Sequence, residues 1–166
     1  MHQSNLQTLM AYNVWAMDKL LKAAENIDAE RLSTASSLSH QTILAVLTHV
    51  LNAEHTWRYR CQFDQTPPPR FDSPAPSLTE FRTVWEEGAS AMRDYLATLE
   101  DDDLQTPVSY RLRSGDTYTQ PIWEILMQVV NHGTHHRAEI TGKLREFGYS
   151  PGNLDFIVFR MLGVNA

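Results

Sequence analysis

"VVNHGTHHRAEI", residues 129–140, places three imidazoles, His132, His135 and His136, inside a run whose apolar residues recur at helical spacing. Ile122, Leu126, Val129, Ile140, Leu144 and Phe147 share one face when the chain advances about 100° per residue. The spacing predicts one long helix with Pro121 in its first turn and Gly148 as a left-handed cap. On that wheel His136 and His132 project about 50° and 90° from the centre of the apolar face, toward the interior or its edge, while His135 lies about 150° away. His132 and His136 are therefore one turn apart on one side, the spacing of a metal-ligand pair. A pair of solvent-facing or core-edge histidines would give the same pattern. Gly133 sits between them, and a mid-helix glycine is less favourable than alanine by about 1 kcal/mol. Its presence predicts the close approach of another backbone, a side chain or a ligand.

A helix with one apolar face must bury it, and the rest of the chain supplies partners. Leu6, Leu9, Met10, Asn13, Val14, Met17, Leu20, Leu21 and Ala24 make a first helix over 5–26. The serines of "STASSLS", 33–39, offer N-caps for a second helix over about 39–61, with Ile43, Leu44, Val46, Leu47, Val50, Leu51 and Trp57 as its stripe. "DQTPPPRFDSPAPS", 64–77, holds five prolines, which excludes helix and predicts a long ordered loop. Ser77 with Glu80 forms a capping box for a third helix that stops near Leu99, before the acidic 100–103 run. "TPVSYRLRSGDTYT", 106–119, alternates around a Ser-Gly-Asp turn and predicts a short hairpin. "NLDFIVFRML", 153–162, predicts a short fifth helix. The expected architecture is an all-α four-helix bundle with crossover connections, a hairpin before the fourth helix and a short C-terminal helix, in a single domain over 1–166.

Composition bounds the partners. Fourteen Lys and Arg against twenty Asp and Glu give a net charge of −6, with no basic run to follow a phosphate backbone, which excludes nucleic acid as an expected partner. No apolar run approaches the roughly 18 residues of a membrane span, and "MHQSNLQTLMAYNVW" lacks the layout of a signal peptide, so a cytoplasmic protein is expected. Cys61 has no neighbouring histidine at motif spacing and reads as an inert small side chain. Trp15, Trp57, Trp85 and Trp123 read as core or interface packing.

A catalytic metal usually takes three protein ligands, and His2, His40, His49 and His55 are the candidates for a third. His49 lies on the flank of the second helix, but projection does not choose it over His55. Glu54 projects within the apolar stripe of its helix, so partial burial and a partner are expected, as a salt bridge to Arg137 or Arg58, or else as a general base.

"LTHVLNAEHTW", 47–57, with a His followed by Glu five and Trp eight residues later, and "MQVVNHGTHHRAEI", 127–140, with Asn-His followed by His-His-Arg, resemble two motifs of the DinB/YfiT-like family. "YNVWAMDKLL" and "LDFIVF" resemble its opening and closing segments, so the likeness covers nearly the whole chain. Ala138 and Glu139 stand where the family often has glycine and glutamine. The resemblance implies a four-helix bundle, often a homodimer, with a divalent metal on His49, His132 and His136, leaving His135 aside. Three neutral imidazoles leave the ion its charge and open positions, where a water or thiol loses its proton near neutral pH. Zinc or nickel suits the set best, and iron or manganese is compatible. Glu54, Asn131 and Glu139 are the candidates to orient the ligating rings. The wider superfamily implies a metal-dependent thiol S-transferase, acting on a small-molecule substrate with a low-molecular-weight thiol in stress or detoxification. A metal-dependent hydrolase with Glu54 moving the proton, and a non-enzymatic metal-binding stress protein, are the alternatives.

Overall fold

The structure, a computed structural model, describes residues 1–75, 77–112 and 114–163. Pro76 of the proline-rich loop and Arg113 beside the hairpin turn lie outside the described residues.

Four long helices form the bundle: α1 Gln3–Ala24, α3 Ile43–Phe63, α4 Leu78–Ala97 and α5 Ile122–Glu146. Two short ones, α2 Ala29–Ser33 and α6 Phe156–Met161, and the strands β1 Pro107–Arg111 and β2 Thr117–Pro121 complete it, with a 3-10 turn at Asp103–Gln105. Helix α5 packs against α1 and α3, and α4 packs against the same two from the opposite side. The bundle order is therefore α1, α5, α3, α4, and the first and last connections between long helices run across its diagonals. No described helix is long and apolar enough to cross a membrane.

The four helices lie where apolar spacing predicts them, and their ends show which local signals prevail. Ser77 Oγ accepts from Glu80 N at 3.1 Å and donates to Glu80 Oε2 at 2.7 Å, the expected cap of α4. Gly148 closes α5 at φ +88°, a conformation that favours glycine. Pro121 is not inside α5: it ends β2, opposite Pro107, and precedes the first helical residue. Its fixed φ and missing N–H suit that boundary equally well.

The start of α3 departs from expectation. It begins at Ile43, capped by Thr42, whose hydroxyl accepts from Ala45 N at 3.0 Å. The serines ahead of it serve a turn instead. Ser36 N and Ser36 Oγ both donate to Gln41 O at 2.8 Å, Leu38 and Gln41 form an isolated β-bridge, and Gln41 has φ 69°. A left-handed residue there prevents the helix from extending back to residue 39.

The proline-rich loop has no helix or strand among its described residues and is pinned to α3. Asn52 Nδ2 donates to Phe71 O at 2.9 Å and Asn52 Oδ1 accepts from Arg70 N at 2.8 Å, while Thr48 Oγ1 accepts from Ala75 N at 2.8 Å.

Two apolar blocks fill the bundle. One joins Met17, Leu20 and Leu21 of α1 with Leu47 and Val50 of α3, Trp85 of α4 and Ile140 and Leu144 of α5. The other joins Leu6 and Met10 of α1 with Met92 and Leu96 of α4, Leu126 and Val129 of α5 and Phe159 of α6. The buried Asn13 and Arg137, together with Glu54, contribute a polar layer to the bundle interior.

Candidate metal centre

His49 on α3 and His132 and His136 on α5 meet across the seam between the two helices. Their ring centroids stand 4.9 Å (His49–His132), 4.9 Å (His49–His136) and 4.6 Å (His132–His136) apart, at interplanar angles of 58°, 77° and 72°. His49 Nε2 and His132 Nε2 approach to 3.0 Å. Two nitrogens held tetrahedrally at about 2.0–2.1 Å from one zinc ion would stand about 3.3 Å apart, close to this His49–His132 separation.

A fourth imidazole joins them. The Gln41 turn carries His40 over the cluster, where its ring stacks on His49 with centroids 4.0 Å apart and an interplanar angle of 23°. One ring nitrogen from each of His40, His49 and His136 lies within 4.8 Å of the others. His40 was one of four candidates for a third ligand, and the turn that positions it has no glycine or proline to announce it in the sequence. His55, which projection did not separate from His49, instead packs against Tyr59, the rings tilted by 57° with centroids 4.6 Å apart. His2 pairs with Asp101 at 2.5 Å. His135 is exposed, its ring edge-on to that of His136 with centroids 5.1 Å apart.

Electrostatics keep the cluster in its ligating form. Burial, then the neighbouring His40 and His136, pushes His49 down to about 4. Burial, followed by the charges of His136, His49 and the other two rings, does the same to His132, also to about 4. Both rings are therefore neutral at pH 7, with lone pairs available. Glu139 is the expected orienter that the geometry selects. Its Oε2 lies 3.1 Å from His136 Nδ1, and a carboxylate can only accept there, which leaves His136 Nε2 free as a donor atom. The same carboxylate accepts from Ser39 N, and from Ser39 Oγ at 2.9 Å, clipping the His40 turn to α5. Partial burial pushes Glu139 up, but the Ser39 N–H and the His136 ring outweigh it and hold the carboxyl below its ordinary range. Asn131 makes no hydrogen bond to these rings among the described residues. It lines a hollow of about 440 Å³ with Trp57, Tyr110, Trp123 and Gln128.

Glu54 is partly buried as expected, but its partner is not. Among the described residues it makes no salt bridge; Asn13 Nδ2 donates to its Oε1 at 2.8 Å, while Arg58 donates to Gln62 at 2.6 Å. Arg137 reaches it only at second remove, donating to Asn13 Oδ1 and to Thr134 Oγ1, the latter at 2.8 Å. Burial raises Glu54 to about 7, against the pull of Asn13 and the Arg137 charge. Gly133 makes this arrangement fit: a Cβ there would stand 2.7 Å from both Arg137 Nη1 and Asn13 Oδ1. The predicted close approach is thus that of side chains. Cys61, its thiol pushed up to about 12 by burial, is unreactive as read.

Comparison with known proteins agrees with this fold. Protein DinB of Bacillus subtilis (strain 168) is 26% identical over 162 residues, 89% of each chain. The crystal structure of a DinB-like protein from Bacillus cereus ATCC 10987 superposes with a TM-score of 0.67 at 20% identity, over 84% of this chain and 91% of that one. The sequence model of the DinB family matches residues 1–162, and the chain belongs to that family.

Proposed function

We propose that this protein is a metal-dependent thiol S-transferase acting on small electrophiles in stress or detoxification, with His49, His132 and His136 as the ligands. The observation that carries the reading is the near-equilateral set of three rings, two of them held neutral by burial. His40 stacks on His49, and one of its ring nitrogens lies within 4.8 Å of those of His49 and His136, which makes it a further candidate ligand. A bound divalent ion supplies the positive charge that lets a thiol ionise near neutral pH. The chain's own part is to hold the rings and seat the reactants. Glu139 fixes His136, and the hollow beside Gln128, one turn before His132, offers Trp57, Tyr110 and Trp123 to an apolar electrophile. In the transfer the sulfur lone pair forms the new S–C bond, the leaving group departs with its electron pair, and the thiol proton passes to solvent.

The hydrolase alternative needs a base at the histidines. Glu54, the residue considered for it, binds Asn13 and lines the groove between α1 and α4, which favours the thiol reading. Zinc or nickel suits the imidazole set best.

Elemental mass spectrometry on tag-free protein purified without chelator tests the site. About one ion per chain is expected, lost in His49→Ala and His136→Ala and kept in His135→Ala. Turnover of common electrophiles that requires an added low-molecular-weight thiol tests the reaction; turnover without thiol would sink it.

A further inference from the structure

Glu54 is a half-buried carboxyl that the histidine cluster does not use. Only Oε1 is engaged, by Asn13; Oε2 has no hydrogen-bond partner among the described residues. The groove it lines between α1 and α4 has a volume of about 490 Å³, within the range of about 300–1,000 Å³ typical of small-molecule sites. Its walls are mainly apolar, with Met10, Val14, Trp15, Met92 and Leu96. Asp18 lies at the rim but is paired with Lys22 and Arg82. Arg93, also at the rim, donates to Ser90. No cationic side chain among the described residues makes a salt bridge to Glu54; Arg137, buried in the interior, donates to Asn13 and Thr134 and acts on Glu54 through its charge alone. A carboxyl with one unpartnered oxygen that lines an apolar groove is completed by a cationic N–H donor on an apolar body, whose charge favours the ionised form.

We propose that the α1–α4 groove is a binding site for small apolar monocations, amines or amidines, whose N–H groups complete Glu54 Oε2 while the apolar body packs against Met10, Trp15 and Met92. The site is separate from the histidines on the α3–α5 seam and does not rest on the metal reading.

Isothermal titration calorimetry of the full chain, with the metal it carries on purification, tests this using benzamidine, its uncharged analogue benzamide, and benzoate. Benzamidine is expected to bind one per chain, about tenfold more tightly than benzamide, with benzoate silent. Glu54→Gln is expected to weaken benzamidine about tenfold and leave benzamide unchanged. Ala89→Phe, which fills the groove but keeps Glu54, should weaken both, whereas His49→Ala or chelator should change neither. Circular dichroism checks that each variant is folded, and if Glu54→Gln does not fold, the Ala89→Phe titration decides. The proposal is overturned by no benzamidine binding, by equal binding of benzamide, by undiminished binding in a folded Glu54→Gln or Ala89→Phe chain, or by loss of binding in His49→Ala.

Discussion

Glu54 and Gly133 show how single residues set the interior's properties. Glu54 titrates near 7 in the fold against an ordinary value of 4.5, so folding favours its protonated form. Its contribution is full below about 4.5 and falls away as pH rises through 7. The groups that face it are Asn13 from α1 and Arg137 from α5, with His55 and Arg58 nearby on its own helix and Arg70 in the loop. Glu54→Gln stays neutral throughout, so its melting temperature should gain on the parent between pH 5 and pH 8, by at least about 2 °C. A difference that stays constant across that range would place Glu54 in the ordinary carboxyl range. Gly133→Ala gains helix propensity but drives a methyl into the Arg137–Asn13 hydrogen bond. A net loss of about 2 kcal/mol is expected in a denaturant titration, and an unchanged midpoint would mean that Arg137 swings aside freely. The glycine's meaning was legible from sequence, because its helical penalty demands a reason. The identity of what approaches it was not, since Asn13 lies more than a hundred residues away in the chain.

At the level of elements, the helices with long apolar stripes and conventional caps were readable, and the connection before α3 was not. Ser77 with Glu80, and Gly148 after Glu146, declare their roles by type and position. Residues 36–42 mislead because serines suit caps and turns alike, and because the left-handed residue is Gln41 rather than glycine. Thr42 is therefore the residue to change. Thr42→Ala should cost about 1 kcal/mol by thermal unfolding, and Ser37→Ala less than about 0.3 kcal/mol. Equal losses would mean that the serines share the capping role. The same misreading hid His40 from the cluster, while His49, His132 and His136 lie on regular helices whose geometry the sequence does encode. Choosing His49 over His55 nevertheless depended on the family motif, because both lie near the edge of the α3 stripe.

For the molecule as a whole, α6 and its C-cap leave Phe156, Ile157, Met161 and Leu162 exposed at 39%, 58%, 77% and 60%, and we propose this apolar face as the seam of a homodimer. Ile157→Glu combined with Met161→Glu should convert a dimer to a monomer in sedimentation velocity, and a parent chain that sediments as a monomer would dispose of that expectation. Zinc or nickel added to metal-free protein should raise the melting temperature of the parent and not of His49→Ala, because an ion bound only by the native state stabilises it by mass action. The layer of Asn13, Glu54 and Arg137 has a further consequence. Aliphatic blocks tolerate many pairings of one helix against another, but the Arg137–Asn13–Glu54 hydrogen bonds form at a single height. Sliding α5 by one turn, about 5.4 Å, would leave the Arg137 guanidinium among leucines and methionines. The polar layer thus acts as an axial stop, selecting one alignment of the bundle from several that hydrophobic packing alone would accept.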